Sequence, residues 1–136
     1  MIDFNDLPTS IHLNNFMTVG PTVTMFLEQK LNVWLSGDIS VKIGQNTLLV
    51  DVSSLGRANL LTLRDQFNKG ANTVDWYQST GSVVLTESQL TTIENAVSDY
   101  ISKVMKVWQT ASDGIKDKTI KELIEIENLE WPSRTY

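Results

Sequence analysis

A long amphipathic pattern between Leu90 and Ile115 constrains the fold of this chain more than any other feature. Thr86 and Gln89 precede it with the spacing of a capping box, and Gly114 stands where a helix commonly stops, so one helix is predicted from Thr86 to about Gly114. Apolar side chains recur there every three or four residues, which places them on one helix face: Leu90, Ile93, Val97, Tyr100, Val104, Val107, Trp108, Ala111 and Ile115.

The apolar stripe covers roughly 25 residues, or about 38 Å at the usual helical rise. A stripe this wide favours a helix packed on a sheet of its own chain. Its spacing also approximates a heptad seam, so a helix-mediated homo-oligomer is the alternative. Because the predicted sheet is shorter than the helix, part of the helix is expected to project or to pack on another copy.

The segment before this helix favours β-structure. Ile39–Ile43 alternates between apolar and polar residues, and Gly44 follows it at a turn. With strands at Val33–Leu35 and Thr47–Val52, residues 33–52 are predicted to form an antiparallel meander. Val23–Leu31 also alternates and is predicted as a strand, although its pattern fits a short helix as well.

Turn and cap residues divide the remainder. Ser53 and Gly70 are placed to begin and end a helix of about 14 residues. A hairpin is predicted over residues 74–85, with its turn at Ser79–Gly81. Thr119–Glu122 fits a second capping box, which predicts a short helix whose core-facing residues are Ile120, Leu123, Ile124 and Leu129.

The predicted fold class is therefore α+β. An N-terminal antiparallel β-meander and a β-hairpin pack with one long helix and two shorter helices. Residues 1–31 are predicted to be an irregular N-terminal arm, residues 32–132 a single α+β domain, and residues 133–136 a loose C-terminal tail after Trp131 and Pro132.

Composition narrows the class of protein. The 136 residues are 41% hydrophobic and include no cysteine, which is typical of a globular chain without disulfides or thiolate metal sites. A net charge of −5 argues against non-specific nucleic-acid binding, which needs a basic face. No apolar run reaches the length of a membrane span, and the first residues lack a basic signal-peptide start. A soluble, unsecreted, acidic protein is expected.

The residues that could carry chemistry are few and scattered. His12 is the single histidine, and no nucleophile or metal partner adjoins it, so a polar surface or core-edge role is expected. Asp3 and Asp6 lack the spacing of a calcium loop. A run of acidic residues near the end of the chain indicates one solvated helix face: Glu122, Glu125, Glu127 and Glu130. We expect no enzyme, no cofactor, no metal and no small-molecule substrate.

Aromatic residues make protein contacts the better prospect. Trp76 and Tyr77 are neighbours in a predicted strand, so their side chains face opposite ways, one to the core and one to solvent or a partner. The residues predicted to form an interface are Tyr77, Tyr100, Trp108 and Phe16.

The order of motifs from residue 53 to residue 132 resembles a bacteriophage domain family of uncharacterised function, found at the C-terminus of tail-fibre-associated and tail-assembly proteins. The shared pattern is a helix, a tryptophan strand, a turn, a strand into a capped long helix, and a Thr-x-x-Glu-Leu element close to Trp-Pro. The matching positions are Trp76, Gly81, Leu85, Thr86, Leu90, Ala96, Val97, Thr119, Glu122, Leu123, Ile126, Trp131 and Pro132.

This resemblance implies a structural component or assembly chaperone of a tail fibre, which would act in the host cytoplasm during assembly and could stay on the virion tail. Its partners would be a phage tail or fibre protein and further copies of itself. It implies no catalytic residue. The alternative is a small acidic phage regulator or inhibitor that binds a host protein.

Overall fold

A computed structural model describes residues 19–136, and its secondary structure confirms the α+β class. None of the described helices is long and apolar enough to cross a membrane. The elements in chain order are α1 (Val19–Trp34), β1 (Asp38–Ile43), β2 (Asn46–Asp51), α2 (Ser54–Asn68), β3 (Val74–Gln78), β4 (Gly81–Leu85), α3 (Glu87–Lys116) and α4 (Leu123–Glu127).

The described residues divide into two compact units. The sheet unit contains residues 35–103 and 132–136, and the helical unit contains residues 19–34 and 104–131. Helix α3 contributes its first part, through Lys103, to the sheet unit and its second part, from Val104, to the helical unit.

Strands β1 and β2 form an antiparallel hairpin in the sheet unit, with Ile43 opposite Asn46 next to the turn. Gly44 has a φ of 59°, a left-handed conformation that glycine adopts without strain. The side chains of Ile39, Val41, Leu48 and Val50 are buried on one face, as the alternation predicts. The predicted third strand of a meander, Val33–Leu35, is wrong, because Val33 and Trp34 complete helix α1.

Helix α2 and the hairpin β3–β4 lie where the sequence predicts them. Ser53 is the N-cap of α2 and its side chain accepts from the Gly56 N–H, while Gly70 after the helix has a φ of 102°. In the second hairpin, Gln78 pairs with Gly81 across a two-residue turn.

The capping box before α3 is also confirmed. The Gln89 N–H donates to Thr86 Oγ1 at 3.3 Å, and the Thr86 N–H donates to Gln89 Oε1 at 2.9 Å. The apolar stripe that follows within the sheet unit is buried, with Leu90, Ile93 and Tyr100 each 0% exposed.

The last residues of the chain pair with β1 through an isolated parallel bridge, Ser40–Thr135, instead of forming the predicted loose tail. Ser40 N–H donates to the Arg134 carbonyl at 2.7 Å, Tyr136 N–H to the Ser40 carbonyl at 2.7 Å, and Lys42 N–H to the Tyr136 carbonyl at 2.9 Å. The Tyr136 ring meets the Tyr100 ring edge to face, with centroids 6.5 Å apart. The prediction that order ends at Trp131 is wrong, because free backbone groups on β1 bind this segment.

In the helical unit, residues 19–31 belong to α1, so the predictions of a strand at Val23–Leu31 and of an irregular arm over these residues are wrong. Val23 and Leu27 are buried four residues apart, whereas Met25 between them is 61% exposed. These two residues share a core with Ala111 of α3 and with Leu123 and Ile126 of α4. Contacts from distant parts of the chain therefore select the helix over the strand.

Helix α4 begins later than predicted. Its capping box is formed by Glu122 and Glu125 rather than by Thr119, whose hydroxyl donates to the Gly114 carbonyl at 3.2 Å. Lys118, with a φ of 63°, turns the chain before that point. Ile124 is exposed, contrary to the prediction that it faces the core.

Within the helical unit, α1 and α4 pack against the second half of α3. Trp108 and Ile115 pack against the core of the helical unit, and Trp34 of α1 stacks on Trp131 with ring centroids 5.7 Å apart. Lys30 of α1 forms an ion pair with Glu127 of α4 at 3.1 Å. The part of α3 that extends beyond the sheet unit therefore packs against α1 and α4. For these two segments the sequence predicted an irregular arm and a short helix.

Candidate functional site

The strongest candidate site is a cleft of about 450 Å³ in the sheet unit, which we call the inter-hairpin cleft. It lies between the two hairpins, which are separate two-stranded sheets, and α2 contributes one wall. Its lining contains three carboxylates, three polar side chains of α2 and two adjacent aromatics: Asp38, Leu49, Asp51, Gly56, Asn59, Thr62, Leu63, Gln66, Asp75, Trp76 and Tyr77.

A tight connection sets α2 against the end of β2. Asp51 accepts from both the backbone N–H and the hydroxyl of Ser53, each at 2.9 Å, which holds the N-cap residue in place. Gly56, in the first turn of α2, lies so close to the end of β2 that a Cβ on it would be 1.9 Å from the Asp51 carbonyl oxygen. Only glycine fits this approach, so Gly56 allows the start of α2 to pack directly on the end of β2.

Arg64 holds the other side of α2 against α3. Its guanidinium binds Glu94 through Nε and Nη2, reaches Glu87 at 2.7 Å, and donates to the Thr91 hydroxyl at 3.0 Å. The hydrogen bond with Glu94 is the main cause that raises the pKa of Arg64. Because these groups bind one another, the cluster braces the cleft wall and leaves little capacity for a ligand.

The cleft is acidic. Asp38 and Asp51 are direct cross-strand partners, an arrangement in which like charges repel, and Asp75 lines the same cleft from β3. One positive charge lies beside Asp38, because the Arg134 guanidinium donates to the Asp38 backbone carbonyl at 3.3 Å. A ligand that brings positive charge would relieve this repulsion.

The side chains of Trp76 and Tyr77 lie on opposite faces of β3, as their adjacent positions in the strand predict. Tyr77 is 78% exposed, and Trp76 is partly buried on the opposite face. The indole Nε1 of Trp76 is buried and, in the described part of the chain, has no hydrogen-bond partner. A buried donor without a partner is uncommon, because leaving it unsatisfied costs about 1–3 kcal/mol.

Of the residues predicted to form an interface, Tyr77 and Tyr100 belong to the sheet unit and Trp108 belongs to the helical unit. Tyr77 lies at the inter-hairpin cleft, whereas Trp108 packs against the core of the helical unit. Tyr100 is 0% exposed, so its prediction as a surface contact is wrong. Its ring packs under the Arg134 guanidinium at 5.2 Å, and burial raises its pKa. Phe16 and His12 lie outside the described residues.

Sequence reasoning missed the aspartates. Asp38, Asp51 and Asp75 lie in three different strands, and no spacing rule connects them. The available signal was the position of Asp38 and Asp51 at the two open ends of one predicted hairpin, which pairing brings together. Asp75 joins them only through the tertiary structure.

A second, more open groove of about 600 Å³ runs between α2 and the first half of α3. Leu60, Leu61, Val97 and Ile101 give it an apolar lining. In residues 19–136, no three His, Cys, Asp or Glu side chains are grouped so that they could hold a metal ion.

Comparisons of the chain with protein-family models, with curated proteins and with solved structures give no match.

Proposed function

We propose that this protein is a non-enzymatic, bacteriophage tail-associated protein, either a structural component or an assembly chaperone of a tail fibre, that acts through protein–protein contacts. The phage assignment rests on the order of motifs from residue 53 to residue 132 and on nothing else. The host cytoplasm during assembly is its proposed location, and the virion tail is its location if it remains on the particle.

The surface beside the inter-hairpin cleft is the observation that carries the protein-contact part of the proposal. Leu49, Tyr77 and Val84 are 53%, 78% and 58% exposed, and each lies on the face of its hairpin opposite the buried residues. Exposed aromatic and aliphatic side chains beside charged groups are typical of contact surfaces between proteins.

A gene disruption tests the phage part. The gene should be interrupted in the genome that carries it, and the resulting particles examined by electron microscopy. We expect particles whose tails lack fibres or carry incomplete ones, and restoration by the wild-type gene in trans. Normal fibres on the mutant particles would reject both the structural and the chaperone role.

An antibody against the protein then separates the two roles. Its detection in purified particles supports a structural component, while detection in the infected cell alone supports a chaperone. The net charge of −5 favours the second candidate, an acidic regulator that binds a host protein. That candidate gains support if particles are normal and a defined host protein co-purifies in fixed stoichiometry.

A further inference from the structure

We propose that the inter-hairpin cleft binds an extended, basic segment of a partner protein, which adds as a strand between β2 and β3. This inference deepens the proposed function and rests on its premise that the protein acts through protein contacts. It assigns the partner a conformation, a charge and a place of attachment.

The backbone of β2 presents hydrogen-bonding groups to the cleft. The backbone groups of Ser40 and Lys42 in β1 bind residues 134–136. The backbone groups of the residues between and beside them, Ile39, Val41 and Ile43, therefore point to β2. Backbone groups alternate in direction along a strand. In the register observed, the backbone groups of Leu48 and Val50 therefore bind β1, while the backbone groups of Leu49 and Asp51 point away from β1.

One hydrogen bond shows that this outer edge of β2 is available. The Leu49 N–H donates to the side-chain Oε1 of Gln78 at 3.3 Å rather than to a neighbouring strand. A side chain thus occupies the place of a strand partner, and it can be exchanged for a backbone carbonyl without unfolding either hairpin. Natural sheet edges with open backbone groups are common sites of strand addition.

Strand β3 presents the opposite wall in the same way. The two-residue turn after β3 makes Gln78 and Gly81 a hydrogen-bonded pair. Because backbone groups alternate in direction along a strand, Trp76 is the next residue of β3 whose backbone bonds to β4. Asp75 and Tyr77 then direct their backbone groups away from β4. With Leu49 of β2, these two residues are the strand residues expected at open edges, and all three line the cleft. The Asp51 carbonyl oxygen is covered by Gly56 of α2.

The wall formed by α2 suits one face of an added strand. Asn59, Thr62 and Gln66 offer side-chain donors and acceptors along successive turns of the helix. A peptide supplies carbonyl groups at the spacing of a strand, whereas a rigid small molecule does not.

Charge selects the sequence of the segment. Side chains on the outer face of the added strand would have Asp51 and Asp75 as cross-strand neighbours, where lysine or arginine is favourable and an acidic residue is not. Leu49 and Tyr77 provide apolar neighbours on the same face. A second copy of this chain is disfavoured, because its own β2 and β3 edges would bring the same aspartates into the cleft.

The test uses synthetic peptides and the full chain. A seven-residue peptide of alternating valine and threonine with one central lysine is titrated by calorimetry and by amide NMR. We expect the Leu49, Asp75 and Tyr77 amides to shift and to become protected from exchange. The same peptide with a central glutamate should bind more than about tenfold more weakly, because repulsion replaces attraction.

A backbone-methylated peptide separates strand addition from simple charge attraction. Methyl groups on alternate backbone nitrogens keep the lysine but remove the N–H donors along one edge of the added strand, and we expect at least about a tenfold loss of affinity. Equal binding of the methylated and unmethylated peptides would overturn the proposal. Binding of a neutral oligosaccharide to the cleft, with no binding of any peptide, would also overturn it.

Two variants connect the peptide result to the protein. Asp75→Asn should weaken binding up to about fivefold, with a smaller effect at high salt. Tyr77→Ala tests the apolar contact, and Asp117→Asn, an exposed change in the helical unit, is the matched control. Circular dichroism checks that each variant is folded. Unchanged affinity in both cleft variants would place the peptide elsewhere and reject the cleft.

The failure of this inference and the failure of the proposed function have different signatures. If Asp75→Asn and Tyr77→Ala support normal fibre assembly and no peptide binds, the cleft assignment fails while the tail role stands. If peptides bind as expected but disruption of the gene leaves fibres normal, the tail role fails while the strand-addition site stands.

Discussion

The two units reach stability by different routes. In the sheet unit, each hairpin joins residues close in sequence, and a short turn with a left-handed glycine next to or within it sets each register. In the helical unit, the core joins α1 near the start of the described chain to segments about a hundred residues later. Local signals therefore specify the hairpins of the sheet unit, whereas the helical unit depends on partners that the local sequence does not reveal.

The difference extends to function. The sheet unit leaves two hairpin edges, three aspartates and an exposed tyrosine around one cleft. In the helical unit, the large aromatics are used for packing, as in the Trp34–Trp131 stack. A unit built from separate hairpins has unpaired edges, while a helix satisfies its own backbone and offers only side chains.

Core truncations give the largest expected effect. Leu27→Ala in the helical unit and Leu90→Ala in the sheet unit each remove a side chain that is at most 1% exposed. We expect each to lower the free energy of unfolding by about 2–5 kcal/mol in urea denaturation. Leu61→Ala, at an exposed position of α2, is the control and should stay within about 0.5 kcal/mol. If Leu27→Ala lowers the free energy of unfolding no more than the control does, the packing of α1 is refuted.

Two glycine substitutions compare close approaches in the two units. Gly56→Ala places a Cβ 1.9 Å from a backbone oxygen, and we expect a loss of about 3 kcal/mol because the backbone must move. Gly114→Ala meets the Ile120 side chain at 2.9 Å. That side chain can rotate, so the loss should be about 1 kcal/mol or less. Thermal unfolding monitored by circular dichroism measures both, and equal losses would contradict this reasoning.

Removal of residues 134–136 tests the pairing of the chain end with β1. The truncation deletes three backbone hydrogen bonds to β1, and we expect a loss of about 2 kcal/mol. Thr135→Ala is the matched control, because it keeps all three bonds. Hydrogen exchange at Ser40 and Lys42 should rise in the truncated chain alone. Unchanged exchange would mean that the tail is not bound there.

The smallest effect concerns pH. Burial raises the pKa of Tyr100 above 10.0, so folding favours the neutral phenol. This stabilisation is fully present below the unfolded pKa of about 10 and is lost as the pH rises through the higher folded pKa. We expect stability to fall on the alkaline side, and Tyr100→Phe to make that fall shallower.

Tyr77→Phe is the control for the pH experiment, since Tyr77 is exposed and does not contribute to the core. Its alkaline denaturation profile should match the wild type. Tyr136, whose pKa burial raises, and Lys103, whose pKa the hydrogen bond with Asp99 raises, contribute to the slope that remains in Tyr100→Phe. A profile that is identical in the wild type and in Tyr100→Phe would show that the phenol ionises without opposing the fold.

Part of the candidate site was predictable from sequence. Alternation in the predicted strand indicated that Trp76 and Tyr77 face opposite ways, and the structure exposes Tyr77. The enrichment of aromatic residues at interfaces was the reason to predict Tyr100 as a contact, but Tyr100 is 0% exposed, because an aromatic side chain on an amphipathic helix can equally belong to the core. The gathering of Asp38, Asp51 and Asp75 needed the relative placement of two hairpins, for which a single sequence carries no signal.

By itself, the sequence determined the elements whose causes are local. The cap at Thr86, the cap at Ser53, the left-handed Gly70 and the turn at Gly81 each act within a few residues, so they can be read along the chain. Only the tertiary structure decided that residues 19–34 are helical, that residues 134–136 pair with β1, and that two sheet edges face one acidic cleft. The physical reason is that these features depend on buried contacts and backbone hydrogen bonds between residues far apart in the chain.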